Sequence, residues 1–306
     1  MNSTYEDRLK DEIDLRDIFI TVFNYKYTVI SVCVFAAVLS ALIAINIPNT
    51  YSSQALLAPT SDEESLSSQL SSLSSLPSIS GLNIMGEEAS KSTEAIARMQ
   101  SYNFFVTQFL PNIELQDLMA VKRWNPEKNN LIYSSSIYDD KNKKWSKEFL
   151  SPRLNTPSKQ KAFQKYQDIL TISEDRKTSF VTISLKHKSP LIAKEWLDIV
   201  VNNINEIMRE EDIKRSQNSI DFLNESFQTT NIQSIKDAIS NLQEAQMKTL
   251  MLASSSESYV FKILDEPIVP EKKSEPSRSI IVVLGTLFGG ILSLLLILLN
   301  RIYRFY

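Results

Sequence analysis

Groups able to move protons or attack carbonyls are scarce in this sequence. His187 is the sole histidine, in Lys186-His187-Lys188, and Cys33 is the sole cysteine, inside an apolar run. One histidine removes multi-histidine metal sites and leaves a single base for any triad. The flanking lysines disfavour its protonated form, and it is expected as a surface residue at a strand end. Cys33 lies where a thiolate would not form, so it is a poor nucleophile. Carboxylates cluster at Asp62-Glu63-Glu64 and Asp139-Asp140, a pattern read as solvated charge. Neither G-x-x-x-x-G-K-[ST] nor G-x-G-x-x-G occurs, so nucleotide binding has no motif. The formal net charge of -3 supplies no field for nucleic acid. Trp124 and Trp145 sit among lysines in a polar stretch, 121–160, and could stack on a sugar or a base. With neither regular spacing nor a net basic patch read there, they are expected to fill small local cores. No catalytic residue, metal or cofactor is expected.

The most specific spacing lies near the C-terminus. Residues 279–299 form an uncharged apolar run of 21 residues containing Gly285, Gly289, Gly290 and Ser293. At ~1.5 Å per residue it crosses a ~30 Å hydrocarbon core. Gly285-Thr286-Leu287-Phe288-Gly289 is a G-x-x-x-G, which lets a second helix approach closely in lipid. Association with another membrane helix is expected through this face. Pro267, Pro270, Pro276 and Arg278 precede the run, and the first two prolines favour stiff polyproline II geometry. A second apolar run spans 28–47 and reads as a retained anchor rather than a cleaved signal, because its flank is long and mixed in charge. Arg8, Lys10, Arg16 and Lys26 precede it, while 48–67 carry no Lys or Arg. The positive-inside tendency then places tails 1–27 and 300–306 in the cytoplasm and 48–278 outside.

The segment between the spans reads as α+β. Residues 50–58 form a strand, 61–86 a serine- and leucine-rich loop or weak helix, and 92–110 a helix. Residues 169–173 and 180–186 pair as a hairpin, with Val181, Ile183 and Leu185 alternating. Ser189 and Pro190 open a helix with a serine cap and a first-turn proline. It runs to Thr229 without glycine or a further proline, ~60 Å of rod. Glu210–Lys214 and Glu211–Arg215 are spaced to pair along it. Residues 232–253 form a second helix that returns along the first, and 259–264 a last strand. The expected fold is a small mixed sheet close to the membrane carrying a long projecting helical arm.

The order of these features resembles the chain-length determinant proteins, or polysaccharide co-polymerases, of Gram-negative bacteria, in their kinase-free class. The resemblance rests on Asp11-Glu12-Ile13-Asp14-Leu15-Arg16, on Tyr51-Ser52-Ser53-Gln54-Ala55-Leu56-Leu57-Ala58-Pro59 and on Lys188-Ser189-Pro190-Leu191-Ile192-Ala193. It continues through Ile204-Asn205-Glu206-Ile207-Met208-Arg209-Glu210, Met251-Leu252-Ala253, Tyr259-Val260-Phe261 and a proline run into a glycine-bearing span. It implies a non-enzymatic homo-oligomer of the inner membrane with a periplasmic domain. It further implies control of the modal length of O-antigen or a related polysaccharide made by a separate polymerase, with a lipid-linked glycan nearby. An export adaptor working with a separately encoded tyrosine kinase is the alternative.

Overall fold

The computed structural model describes residues 25–60, 91–151, 156–256 and 258–305. The tail before residue 25 and the serine-rich stretch 61–86 lie outside the described residues. In chain order the elements are α1 (Lys26–Asn46), β1 (Tyr51–Pro59) and α2 (Lys91–Met99), then a short irregular helix over 102–112 and α3 (Leu115–Met119). Two small hairpins follow, β2 (Val121–Asn125) with β3 (Asn130–Tyr133), and β4 (Tyr138–Asp139) with β5 (Lys144–Trp145). Then come α4 (Lys159–Ile169), β6 (Leu170–Glu174), β7 (Val181–His187), α5 (Pro190–Thr229), α6 (Gln233–Ser255), β8 (Phe261–Asp265) and α7 (Arg278–Phe305). The chain divides into two compact units, one formed by 1–49 with 274–306, the other by 50–273.

The larger unit is built on a four-stranded sheet in the order β6-β7-β1-β8. Every pairing is antiparallel, which corrects the expectation of mixed strand direction. The reason is the strand order: β1 separates β7 from β8 and β7 separates β6 from β1, so strands that run the same way never touch. Strand β7 alternates strictly, burying Val181, Ile183, Leu185 and His187. Strand β1 buries Ser53, Ala55 and Leu57 toward the same core. Helix α5 covers these residues with Trp196, Leu197, Val200, Val201, Ile204 and Met208.

The helix expected over 92–110 is broken at Gln100–Ser101, because Ser101 starts a new helix by accepting the Phe104 N–H at 3.2 Å. Its continuation includes a π-helical turn, Phe105–Phe109. That turn directs Phe105 and Phe109 into an aromatic pile with Tyr166, whose centroid lies 5.2 and 4.7 Å from theirs. Trp196 meets Phe109 edge-on at 5.5 Å. The Tyr166 hydroxyl is fully buried and donates to Met99 O at 2.7 Å, and burial raises its pKa.

The smaller unit is a pair of helices, each long and apolar enough to cross a membrane. Small residues repeat every four positions on both: Ala36, Ser40 and Ala44 on α1, Gly285, Gly289 and Ser293 on α7. A Cβ added at Gly285 would fall 2.5 Å from Ser40 Cβ, and one at Gly289 would fall 2.4 Å from Ala36 Cβ. Backbones approach here because no side chain separates them. The hydroxyls bond within their own helices, Ser40 to Ala37 O at 3.0 Å and Ser293 to Gly290 O at 2.7 Å.

Replacing Gly289 with Leu is expected to force the two helices apart, destabilising the pair by about 1–3 kcal/mol. Gly290→Leu meets only Cys33 Sγ, 3.5 Å away, and should cost much less. Thermal unfolding of the purified full chain in detergent compares the two; equal shifts would contradict this seating.

Candidate functional site

The glycine face packs a helix, as its spacing predicts, but the helix is α1 of the same chain. Within the chain Gly285 faces Ser40 and Gly289 faces Ala36. The Ala36-Ser40-Ala44 series, which the sequence reading passed over, supplies the matching surface. Gly290 lies off this seam and lines an apolar groove with Val282, Thr286, Ile291 and Cys33.

The proline segment is divided between the units. Pro267 and Pro270 belong to the larger one, where Pro267 is buried and Ser53 Oγ donates to Ile268 O at 2.8 Å. Pro276 and Arg278 belong to the helical unit, where Arg278 Nη2 donates to Asn49 Oδ1 at 3.1 Å.

Helix α5 holds the expected bounds and places Pro190 in its first turn. Ser189 stands at the cap position without a side-chain cap bond. Its backbone N–H instead donates to His187 Nδ1 at 3.0 Å, so Nε2 carries the proton and meets Asp117 O at 3.1 Å. His187 is therefore not a surface residue. It is 6% exposed and rests against Trp196, ring centroids 4.8 Å apart. Burial, aided by Lys188, lowers its pKa to about 4. Both ring nitrogens are committed to the backbone, which leaves no free base. Trp145 packs against Tyr138 and the core, as a local-core residue does, whereas Trp124 is half-buried, edge-on to Tyr51 at 5.8 Å and donating to Asn129 Oδ1 at 3.0 Å.

Halfway along α5, a set of polar groups ties three elements together. Asn205 is buried; its amide donates to Phe261 O, and its oxygen accepts from Val260 N and Phe261 N, all within 3.0 Å. Two turns on, Asp212 Oδ2 accepts from Tyr259 OH at 2.7 Å and pairs with Lys91 Nζ at 3.0 Å. Lys91 also donates to Tyr259 OH at 2.6 Å. Burial pulls the Lys91 pKa down, but its bonds to Tyr259 and Asp212 outweigh this and hold it raised. Arg98 of α2 takes Glu211 at 2.6 Å. The expected Glu211–Arg215 pair is thereby replaced, and Arg215 turns to Asp212 at 3.7 Å.

Beyond this joint the helices change character. Ser216 is the last buried residue of α5, and α6 buries only Ile239 and Ala253. Phe222, Leu242 and Met251 are 68%, 54% and 65% exposed. Phe222, Leu223 and Leu242 border a shallow groove with Arg215 and Gln246. Two helices can bury only the stripe where they touch, so the remaining apolar stripe faces outward.

A clasped pair of apolar helices and an antiparallel sheet carrying a long helical hairpin define an α+β class with two candidate membrane spans. Residues 11–104 match the family model described as chain length determinant protein, and residues 228–302 match the "G-rich domain on putative tyrosine kinase". Residues 11–104 thus resemble a chain length determinant domain. It is similar in structure to a full-length bacterial polysaccharide co-polymerase, at 14% identity over 97% of this chain and 99% of that one, TM-score 0.39. A fragment of WzzB, a polysaccharide co-polymerase from Salmonella Typhimurium, matches at 14% identity over 74% of this chain and 100% of its own, TM-score 0.27. Curated protein sequences give no match.

Because His187 is held neutral, its contribution to stability is complete above its unfolded pKa of about 6.5 and is lost as pH falls toward 4. The loss should approach roughly 3 kcal/mol. Asp117, whose pKa is raised by burial, acts in the opposite sense. Denaturant unfolding at pH 7.5 and 4.5 should show a larger acid loss in the natural chain than in His187→Gln. Identical pH dependence would refute the buried neutral imidazole.

Proposed function

We propose that this protein sets the chain length of a surface polysaccharide, O-antigen of lipopolysaccharide or a related glycan, as a homo-oligomeric scaffold rather than as a catalyst. The match of residues 11–104 to the chain length determinant model supports chain-length regulation. The scaffold reading is carried by one observation, the apolar stripe left uncovered on α5 and α6. An exposed Phe222, Leu242 and Met251 would be costly for an isolated chain, since burying each such side chain contributes about 1.5–3 kcal/mol. Neighbouring copies covering the stripe would recover it.

In this reading α1 and α7 cross the bacterial inner membrane, both tails are cytoplasmic, and 48–278 is periplasmic. The prolines 267, 270 and 276 would stiffen the chain between β8 and α7. The outward face of α7 around Gly290 and Thr286 is assigned to the separate polysaccharide polymerase, which would hold its lipid-linked glycan beside the scaffold. The 228–302 match is compatible with a kinase-linked export adaptor but does not favour one.

Deleting the gene should broaden or shift the polysaccharide ladder on a gel, and the natural gene should restore it. Phe222→Asp with Leu242→Asp should fail to restore the modal length and should sediment as smaller assemblies. An unchanged ladder after deletion would end the chain-length reading; full-sized assemblies from the double variant would end the arm's part in it.

A further inference from the structure

We propose that the double-hairpin module, β2 to β5 with the adjoining start of α4, binds an acidic polysaccharide through its lysines and Arg123. Residues 121–161 carry ten Lys or Arg against four Asp or Glu, a net +6 in a chain whose total is -3. The stretch is thus the basic pole of an otherwise acidic protein, which corrects its reading as lacking a basic patch. It lies between the two family matches, 11–104 and 228–302, so neither match describes it.

The described cations of this stretch, Lys122, Arg123, Lys141, Lys143 and Lys144 among them, are exposed and form no ion pair. The turns that carry them are ordered. Asp139 Oδ1 accepts the N–H groups of Lys141 and Asn142 at 3.1 and 3.3 Å, and Asp139 Oδ2 accepts from the Asn142 amide at 2.7 Å. Lys143 follows with φ 50°. In the other hairpin, Asn125 Oδ1 accepts from Glu127 N–H at 3.0 Å, and Asn129 has φ 47°. The edge contact of Tyr133 with Tyr138, centroids 5.7 Å apart, joins the two hairpins. The cationic surface is therefore prearranged, and the Asp139 carboxylate is occupied by its turn.

A single exposed lysine contributes about 0–1 kcal/mol to an ion pair. Useful affinity then requires many contacts made at once, which suits a polymer with repeated carboxylate or phosphate groups. A membrane surface fits less well. Stable surface binding wants apolar side chains to insert, and among the described residues no large hydrophobic between Tyr102 and Phe180 is exposed. The selection of a glycan among soluble polyanions rests on the chain-length reading above.

The test uses the full chain in detergent, with fluorescent polygalacturonate, dextran of equal length, and 3:1 phosphatidylcholine–phosphatidylglycerol vesicles as probes. Polygalacturonate should bind, and its affinity should fall steeply with salt, as screening requires. Lys141→Gln/Lys143→Gln/Lys144→Gln should weaken it at least fivefold, and Lys122→Gln/Arg123→Gln should do so separately. Absence of binding, equal binding of dextran, preference for vesicles, or undiminished binding by both variants would overturn the proposal. If polygalacturonate fails to bind while gene deletion alters the ladder, the module's role falls and the chain-length reading stands.

Discussion

The large unit depends on one buried side chain. Asn205 occupies a position on α5 where periodicity calls for an apolar residue, and its side chain makes three hydrogen bonds to the backbone of 260–261. A buried amide left unpaired costs about 1–3 kcal/mol per group, so any slip of α5 along β8 is penalised at once. That fixes register in a way that Leu197, Val200 and Ile204 cannot, since apolar contacts tolerate sliding. Asp212, Tyr259 and Lys91 extend the same restraint by two turns and bring in α2. Thr60 joins them, donating through its backbone to Val260 O at 3.0 Å and through its hydroxyl to Tyr259 O at 2.8 Å.

Below this joint α5 is a core helix; above it, α5 and α6 have only each other. The contrast gives the arm its meaning. Sequence alone makes the lower and upper halves look alike, because both carry apolar residues at helical spacing. What differs is the number of surfaces available to cover them. The same logic separates the two small-residue series in the helical unit. Gly285 and Gly289 face Ser40 and Ala36 of the same chain, whereas Gly290 lies off that seam.

Much of this was legible beforehand. Pro190 and the absence of glycine fixed α5 to the residue, and alternation located β7. The same alternation, carried one step beyond Leu185, puts His187 on the buried side; its charged neighbours concealed that. The glycine spacing announced a close helix contact but not its partner, since a one-sided motif cannot name the opposite side. Ala36-Ser40-Ala44 could have named it. The hairpins β2–β5 escaped because strands of two to five residues leave no periodicity to read. Asn205 was quoted only as part of a resemblance; a lone asparagine inside an apolar stripe is the signal that it bridges to backbone. The antiparallel sheet order depends on where β1 inserts, a non-local choice that no local pattern carries.

The central claim is that the uncovered stripe of the arm is covered by another copy of the chain. Cross-linking in native membranes tests it most directly. A Cys33→Ala chain carrying Phe222→Cys, treated with a short bismaleimide, should yield covalent dimers and higher multimers, whereas Lys141→Cys in the same background should stay monomeric. Monomers alone from Phe222→Cys, with Lys141→Cys linking as well or better, would contradict the account.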